Sequence, residues 1–460
     1  MIPRQRRHWT PLLLLCWILT ACAGLPDVDK NKLDAKSLPT IVNADGPVAM
    51  TPEVRARMKK RWSGAGDLRK LAALEEAATG APLIVGNKVD LLFDGPQTMT
   101  AMMTAIAGAK NNINLETYIF DQDAVGMKFA DLLIEKQKAG VIVNVMYDSV
   151  GTIGVPQAFF DRMHAAGIRT VAFNPVNPAR LHGEEWKVNN RDHRKVLIVD
   201  GRIAFTGGVN ISADYSHSSP FRSHQKMRNK SQVGWRDTHV RVEGPAVASF
   251  QAAYIQNWTT QDSADLPDAE YFPAPTTMGD KAVRVIASAP GSDFEIYKAY
   301  LLAIGQAKKS IHITSAYFVP DQQTIDALIA AAKRGVDVRI MLPGVSDSGL
   351  VFYAGHDLYT PLLDGGVKIF QLKLAVLHAK TAVIDGNWST VGSSNIDMRS
   401  FMHNSELNVV VLGDDFGRAM ESAFAEDTRN SNEITVQAWH HRPLTDRMRE
   451  WAARLMDYWL

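Results

Sequence analysis

His193-Arg-Lys-Val-Leu-Ile-Val-Asp-Gly-Arg-Ile-Ala-Phe-Thr-Gly-Gly-Val-Asn210 and His378-Ala-Lys-Thr-Ala-Val-Ile-Asp-Gly-Asn-Trp-Ser-Thr-Val-Gly-Ser-Ser-Asn395 are two copies of one arrangement, 185 residues apart. In each, a histidine and a lysine two positions apart are followed at fixed intervals by an aspartate, a glycine, a glycine or serine, and an asparagine. The apolar run after each lysine reads as a β-strand, the Asp-Gly pair as a turn, and the next apolar run as a second strand. On a strand, residues two apart share a side, so His193 with Lys195, and His378 with Lys380, can present an imidazole and an ammonium to one space. The glycines before Asn210 and Asn395 are expected to let backbone approach an anion, with the amides donating to it. One copy makes half of a phosphate site.

A second duplicated pair extends the repeat. Ala109-Lys-Asn-Asn-Ile-Asn-Leu-Glu-Thr-Tyr-Ile-Phe120 parallels Ala307-Lys-Lys-Ser-Ile-His-Ile-Thr-Ser-Ala-Tyr-Phe318, and each leads into a helical pattern that ends near Gly140 or Gly335. Another apolar strand follows each, Val141 to Tyr147 and Val336 to Leu342. Strand alternating with helix predicts an α/β class, with two similar sandwich lobes related by a pseudo-two-fold axis and sharing one site between them. The expected divisions are 81–260 for the first lobe, 261–280 for a linker, 281–430 for the second lobe and 431–460 for a helical tail.

The first 22 residues read differently. Arg4, Arg6 and Arg7 precede an apolar run from Leu12 to Leu19, too short for a confident spanning helix and suited to an export signal. Its end, Leu19-Thr-Ala-Cys22, resembles the processing box of bacterial lipoproteins, which makes Cys22 the expected lipidated residue. Cys16 would leave with the signal, so no disulfide is expected. Residues 23–80 read as a tether and then an amphipathic helix from about Thr51 to Ala78. A formal charge of +1 argues against a general binder of nucleic acid, although Arg191 to Lys195 and Lys226 to Lys230 are local basic clusters. His182, His217, His239, His312, His356 and His403 have no spacing that compels a metal, and no cofactor is expected.

With these residues in view, the chain resembles the phospholipase D superfamily and, within it, the bacterial cardiolipin synthase branch. The flanking text carries the narrower resemblance: Arg191-Asp-His-Arg-Lys195, Trp235-Arg-Asp-Thr-His-Val-Arg-Val-Glu-Gly-Pro245, Tyr317-Phe-Val-Pro-Asp321, Gly392-Ser-Ser-Asn-Ile-Asp-Met-Arg-Ser-Phe401 and Asn404-Ser-Glu-Leu-Asn408. The similarity runs from about Val89 to Arg429. It implies an enzyme acting on phosphodiesters through a covalent phosphohistidine, with His193 as nucleophile and His378 as acid and base. Lys195, Lys380, Asn210 and Asn395 would hold the phosphoryl oxygens. Asp237 would orient His193, and Glu406 would orient His378; Asp200 and Asp385 would be structural residues at the hairpin turns.

The implied activity is phosphatidyl transfer, making cardiolipin from two phosphatidylglycerol molecules or from phosphatidylglycerol and phosphatidylethanolamine. The alternative with the same residues is phospholipase D hydrolysis to phosphatidic acid. A monomer, holding both motifs, would suffice for catalysis, with membrane phospholipids as its partners. Many cardiolipin synthases reside at the inner membrane, whereas Ala23 after Cys22 points to a periplasm-facing lipoprotein of the outer membrane. Four side-chain expectations complete the reading. Arg399 either pairs within its motif or meets a headgroup phosphate. Tyr118, Tyr317 and Phe318 either border the channel or form a buried face, the latter preferred, while Phe352, Tyr353 and Tyr359 form an apolar rim. Met99, Met102 and Met103 pack a helix, and the tail packs on the core or lies against headgroups.

Overall fold

The structure is a computed structural model that describes residues 24–62, 67–177, 187–219, 234–261, 265–345 and 349–454. The signal segment with Cys22, the cluster Lys226 to Lys230 and His182 lie outside the described residues.

The strands of the first lobe are β1 (Leu83–Phe93), β2 (Asn112–Thr117), β3 (Ile142–Asp148), β4 (Arg169–Phe173), β5 (Lys195–Val199), β6 (Ile203–Gly207) and β7 (Thr238–Glu243). Those of the second are β8 (Lys281–Ser288), β9 (Ser310–Thr314), β10 (Asp337–Pro343), β11 (Lys368–Leu372), β12 (Thr381–Ile384), β13 (Trp388–Gly392) and β14 (Asn404–Leu412). In space the first lobe runs β1–β7–β6–β5–β2–β3–β4, with only the last two pairings parallel. The second runs β8–β14–β13–β12–β9–β10–β11 with the same senses. Strand for strand the two orders are identical. Antiparallel pairing of β1 with β8 joins the lobes into one sheet.

The repeated sequence explains the repeated strands. β5 is buried along its whole length, which is why Val196 to Val199 is apolar without alternation. The turn after it places Asp200 at φ 54° and Gly201 at φ 60°, and the turn after β12 places Asp385 at φ 54° and Gly386 at φ 68°. Two successive positive φ values make the tight hairpin turn that Asp-Gly favours. Each aspartate then accepts from three backbone N–H groups of the neighbouring strand entry: Lys110, Asn111 and Asn112 for Asp200, and Lys308, Lys309 and Ser310 for Asp385.

Helices cover both faces. α1 (Pro52–Arg61) and α2 (Leu68–Thr79) precede the first lobe; α3 (Asp94–Gly108), α4 (Ala124–Lys138) and α5 (Val247–Gln261) belong to it, and α6 (Glu295–Gln306), α7 (Gln322–Lys333), α8 (Gly349–Asp357) and α9 (Asp414–Arg429) belong to the second. Asp123 caps α4 and Asp321 caps α7 in the same way, each accepting from the N–H groups two and three residues on. Met99 and Met102 are buried on α3. Beneath the junction, Phe250, Tyr254 and Trp258 of α5 share one core with Val283 of β8, Val409 of β14 and Phe416 of α9. Full burial of each large ring there contributes about 1.5–3 kcal/mol, so the junction is held as a core is held.

The segment before the lobes is not a tether. α2 packs on α6 of the second lobe, and its buried Glu75 accepts from Arg284 Nη1 at 2.5 Å and Trp388 Nε1 at 2.6 Å. The single helix expected from Thr51 to Ala78 is two, α1 and α2. At the far end α10 (Leu444–Arg454) packs on α8.

Candidate active site

Two strand pairings at the junction, each two residues long, decide the chemistry. Strand Arg191–Asp192, just before His193, pairs in parallel with Asn404 and Ser405 of β14. Strand Val376–Leu377, just before His378, pairs in parallel with Trp235–Arg236. The backbone N–H of His193 therefore donates to Ser405 O at 3.0 Å, and that of His378 to Arg236 O at 2.8 Å. The residue after each acceptor is an acid: Glu406 in one case, Asp237 in the other.

The consequence reverses the expected partnership. His193 Nδ1 meets Glu406 at 3.0 and 3.1 Å, and His378 Nδ1 meets Asp237 Oδ2 at 2.9 Å. Each histidine is oriented by the acid of the other lobe, because the strand pairing that crosses the junction is the one that brings an acid alongside. All four side chains are buried.

The acids differ. Glu406 also accepts from Ser393 Oγ at 2.5 Å and Asn404 Nδ2 at 3.1 Å. Burial alone would raise its carboxyl, but His193, Lys195 and Ser393 outweigh burial and hold it at about 2. Asp237 is pushed up to about 7 by burial, against Lys380, the Thr238 N–H and Arg236. At Ser393's equivalent position stands Gly208, where a Cβ would lie 2.1 Å from Asp237 Oδ1. That glycine makes room for the acid of the neighbouring strand. Gly207 likewise lies against the backbone of Thr238 and His239, and Gly392 against Asn408. The motif glycines thus serve close strand packing, and the expectation that they admit an anion is corrected.

Burial lowers the His193 imidazole to about 4, with Lys195 and Lys380 adding to the shift and Glu406 opposing it. At neutral pH the ring is neutral, and its Nδ1–H donates to Glu406. Burial, with Lys380 nearby, also lowers Lys195 to about 7, against the pull of Glu406. Lys195 Nζ donates to His193 O and Lys380 Nζ to His378 O, each at 2.6 Å, so each lysine is tied to its own motif. The Oδ1 atoms of Asn210 and Asn395 accept from the N–H groups of Ile119 and Tyr317, both at 3.3 Å. Arg191, Arg194 and Lys195 are buried, so that basic cluster is not a surface patch.

The two histidines and two asparagines line one cleft of about 360 Å3. Tyr118 and Tyr317 line it as well, contrary to the preferred buried reading, whereas Phe318 is core. Arg399 is in its wall and donates to Asn189 Oδ1 at 3.2 Å. Phe352 and Tyr359 border a smaller neighbouring pocket that shares Tyr317. Sequence reasoning passed over Tyr215, whose hydroxyl lies 2.8 Å from Asn210 Nδ2 and 3.3 Å from His378 Nδ1, and Trp235, whose ring centroid is 5.4 Å from that of His378. Their signal was position, five residues after Asn210 and two before Asp237. Among the described residues no group of three or more His, Cys, Asp or Glu is placed to hold a metal.

Two acid-backed imidazoles lining one cleft, each with a buried lysine two residues on, define the core of a two-histidine enzyme. Family comparison narrows this. Residues 102–218 and 300–428 match the family described as cardiolipin synthase, phospholipase D-like domain. The chain is 36% identical over 387 residues to cardiolipin synthase 1 of Bacillus anthracis, covering 82% of this chain and 74% of that one. It is 34% identical over 379 residues to the cardiolipin synthase of Geobacillus kaustophilus, covering 82% and 73%. Among solved structures, phosphatidylserine synthase of Haemophilus influenzae matches in fold with a TM-score of 0.60 at 13% identity, covering 81% of this chain and 95% of that one. Polyphosphate kinase of Porphyromonas gingivalis matches with a TM-score of 0.50 at 13% identity, covering 83% and 55%. The chain belongs to the phospholipase D superfamily, in its cardiolipin synthase-like branch, and is a transferase of lipid metabolism.

The same relatives correct the expected localisation. The match to cardiolipin synthases overturns the expectation of an outer-membrane, periplasm-facing lipoprotein. No helix among the described residues is long and apolar enough to cross a membrane.

Proposed function

We propose that the protein transfers a phosphatidyl group from one phosphatidylglycerol to the glycerol hydroxyl of a second, forming cardiolipin through a phosphohistidine. The observation that carries this reading is the crossed pair, His193 on Glu406 and His378 on Asp237, facing one cleft. With Nδ1–H held by Glu406, the free Nε2 lone pair of His193 attacks phosphorus. The bond from phosphorus to the glycerol oxygen breaks, and His378 gives that oxygen a proton. The positive charge gained by the His193 ring is stabilised by a carboxylate already ionised at about 2.

In the second half the acceptor hydroxyl gives its proton to His378 and its oxygen attacks phosphorus, releasing His193. Lys195 and Lys380 stabilise the phosphoryl oxygens in both halves. Phosphatidylethanolamine as donor would follow the same steps with ethanolamine leaving. Hydrolysis differs only in the nucleophile of the second half, and the aromatic wall of Tyr215 and Trp235 on the His378 side favours an organic alcohol over water.

The test is mass spectrometry of lipids after the purified protein meets phosphatidylglycerol vesicles, with and without phosphatidylethanolamine. Cardiolipin from the parent and none from His193→Ala is the expected result; phosphatidic acid alone would assign hydrolysis instead.

A further inference from the structure

Helix α10 carries a stripe of large apolar side chains that no described residue covers. Leu444, Met448 and Trp451, at positions i, i+4 and i+7, are 68, 65 and 65% exposed. The opposite face is docked: Ala453 packs with Val319 and Ala354, Glu450 accepts from Arg442 at 2.8 Å, and Arg449 lies over the Tyr353 ring. Leaving three large apolar groups in water on a well-seated helix is a standing cost unless a partner covers them.

Three other exposed apolar residues stand at the same end of the sheet. Ile153 follows the C-terminal end of β3, Val345 that of β10 and Leu374 that of β11. These are the strand ends on which the cleft opens, since Tyr118 follows β2, Tyr317 follows β9, and both line it. α10 belongs to this end because α8, on which it packs, meets Tyr317 and Phe318 through Phe352 and Gly355.

We infer that this end of the molecule is a bilayer-docking surface, with the α10 stripe lying in the headgroup region of an anionic phospholipid membrane and the three loop residues touching down around the cleft mouth. The inference rests on the phospholipid reading of the cleft. Charge and size select the occupant. Arg447 is exposed and lies about 60° round the helix from the stripe, and exposed Lys373 adjoins Leu374, so cations border the apolar points as they do on interfacial helices. Tryptophan is favoured at that depth. A second protein copy fits poorly, because a stable dimer buries about 800 Å2 on each partner in complementary contact, and a three-residue stripe with scattered loop tips offers no such continuous face. A fluid lipid surface needs no complementarity.

The test uses the full chain and the variant Met448→Glu with Trp451→Glu, both substitutions at exposed positions. Co-sedimentation with phosphatidylglycerol vesicles is expected to weaken by about tenfold or more, and turnover of vesicle substrate to fall with it. Turnover of a short-chain phosphatidylglycerol dissolved as monomers is expected to stay within about twofold, because the cleft is untouched. In the parent, vesicles are expected to slow amide exchange across residues 444–454, a readout that an anchor elsewhere in the chain would not move. Unchanged vesicle binding and exchange would overturn the inference, as would a parent that sediments as a dimer and a variant that sediments as a monomer. If the parent turned over neither substrate, the transfer reading would fail, while the exchange and binding measurements would still decide the docking surface.

Discussion

Removing the charge of Glu406 while keeping its shape tests the crossed pairing. In Glu406→Gln the His193 ring, 3.0 Å from the carboxylate, loses the negative partner that balances the charge it acquires on attacking phosphorus. At an effective dielectric of about 20, one unit charge at this range is worth about 4 kcal/mol, or about a thousandfold in rate. Because Glu406 is held at about 2, the loss should be the same at every pH above about 4. The companion variant Asp237→Asn weakens His378, whose task is to protonate the leaving oxygen. A phosphodiester with a p-nitrophenol leaving group needs no such proton. Stopped-flow release of nitrophenolate should therefore be restored to within about tenfold of the parent in Asp237→Asn, and remain about a thousandfold slow in Glu406→Gln. The reverse pattern, rescue in Glu406→Gln and not in Asp237→Asn, would refute the crossed assignment, as would a folded Glu406→Gln with near-parental rates.

Further outcomes follow from individual contacts. The Asp237 carboxyl is raised from 3.8 to about 7, so its favourable contribution to folding is complete below pH 3.8 and is lost as pH rises through 7. Asp237→Asn should accordingly gain melting temperature relative to the parent more at pH 8 than at pH 4, by calorimetry; an equal or opposite difference would contradict the burial argument. Asp385→Ala strands three backbone N–H groups at a partly exposed turn and should cost about 2 kcal/mol in denaturant unfolding. Its kcat should fall by less than about threefold, since the turn lies away from the cleft. Gly208→Ala places a methyl on the Asp237 carboxylate and should lower kcat by about a hundredfold while the circular dichroism spectrum is retained; parental activity would show that Asp237 has room to move.

What the sequence made legible was local. Six repeated positions fixed the two hairpins, and Asp200 and Asp385 behave as turn residues because Asp-Gly encodes a turn within its own two residues. The crossing of Asp237 and Glu406 was not legible, since it depends on two-residue strands that meet across 213 and 141 residues of chain. No periodicity survives in so short a strand. The motif glycines were misread for a related reason: what approaches Gly208 is a carboxylate from another strand, and spacing alone does not distinguish it from a bound anion. The docking of α2 on the second lobe was equally hidden, because Glu75 finds Arg284 and Trp388 only through tertiary packing.

The central claim is that His193 takes the phosphatidyl group. It is tested most directly in the His378→Ala variant, where the loss of general base catalysis should slow resolution of the adduct. After brief exposure to the p-nitrophenyl ester of phosphatidic acid, whose leaving group needs no proton from His378, and digestion at alkaline pH, mass spectrometry should find the phosphatidyl mass on the peptide containing His193. The same adduct on the His378 peptide of the His193→Ala variant, with none at His193 in its counterpart, would contradict the assignment of roles.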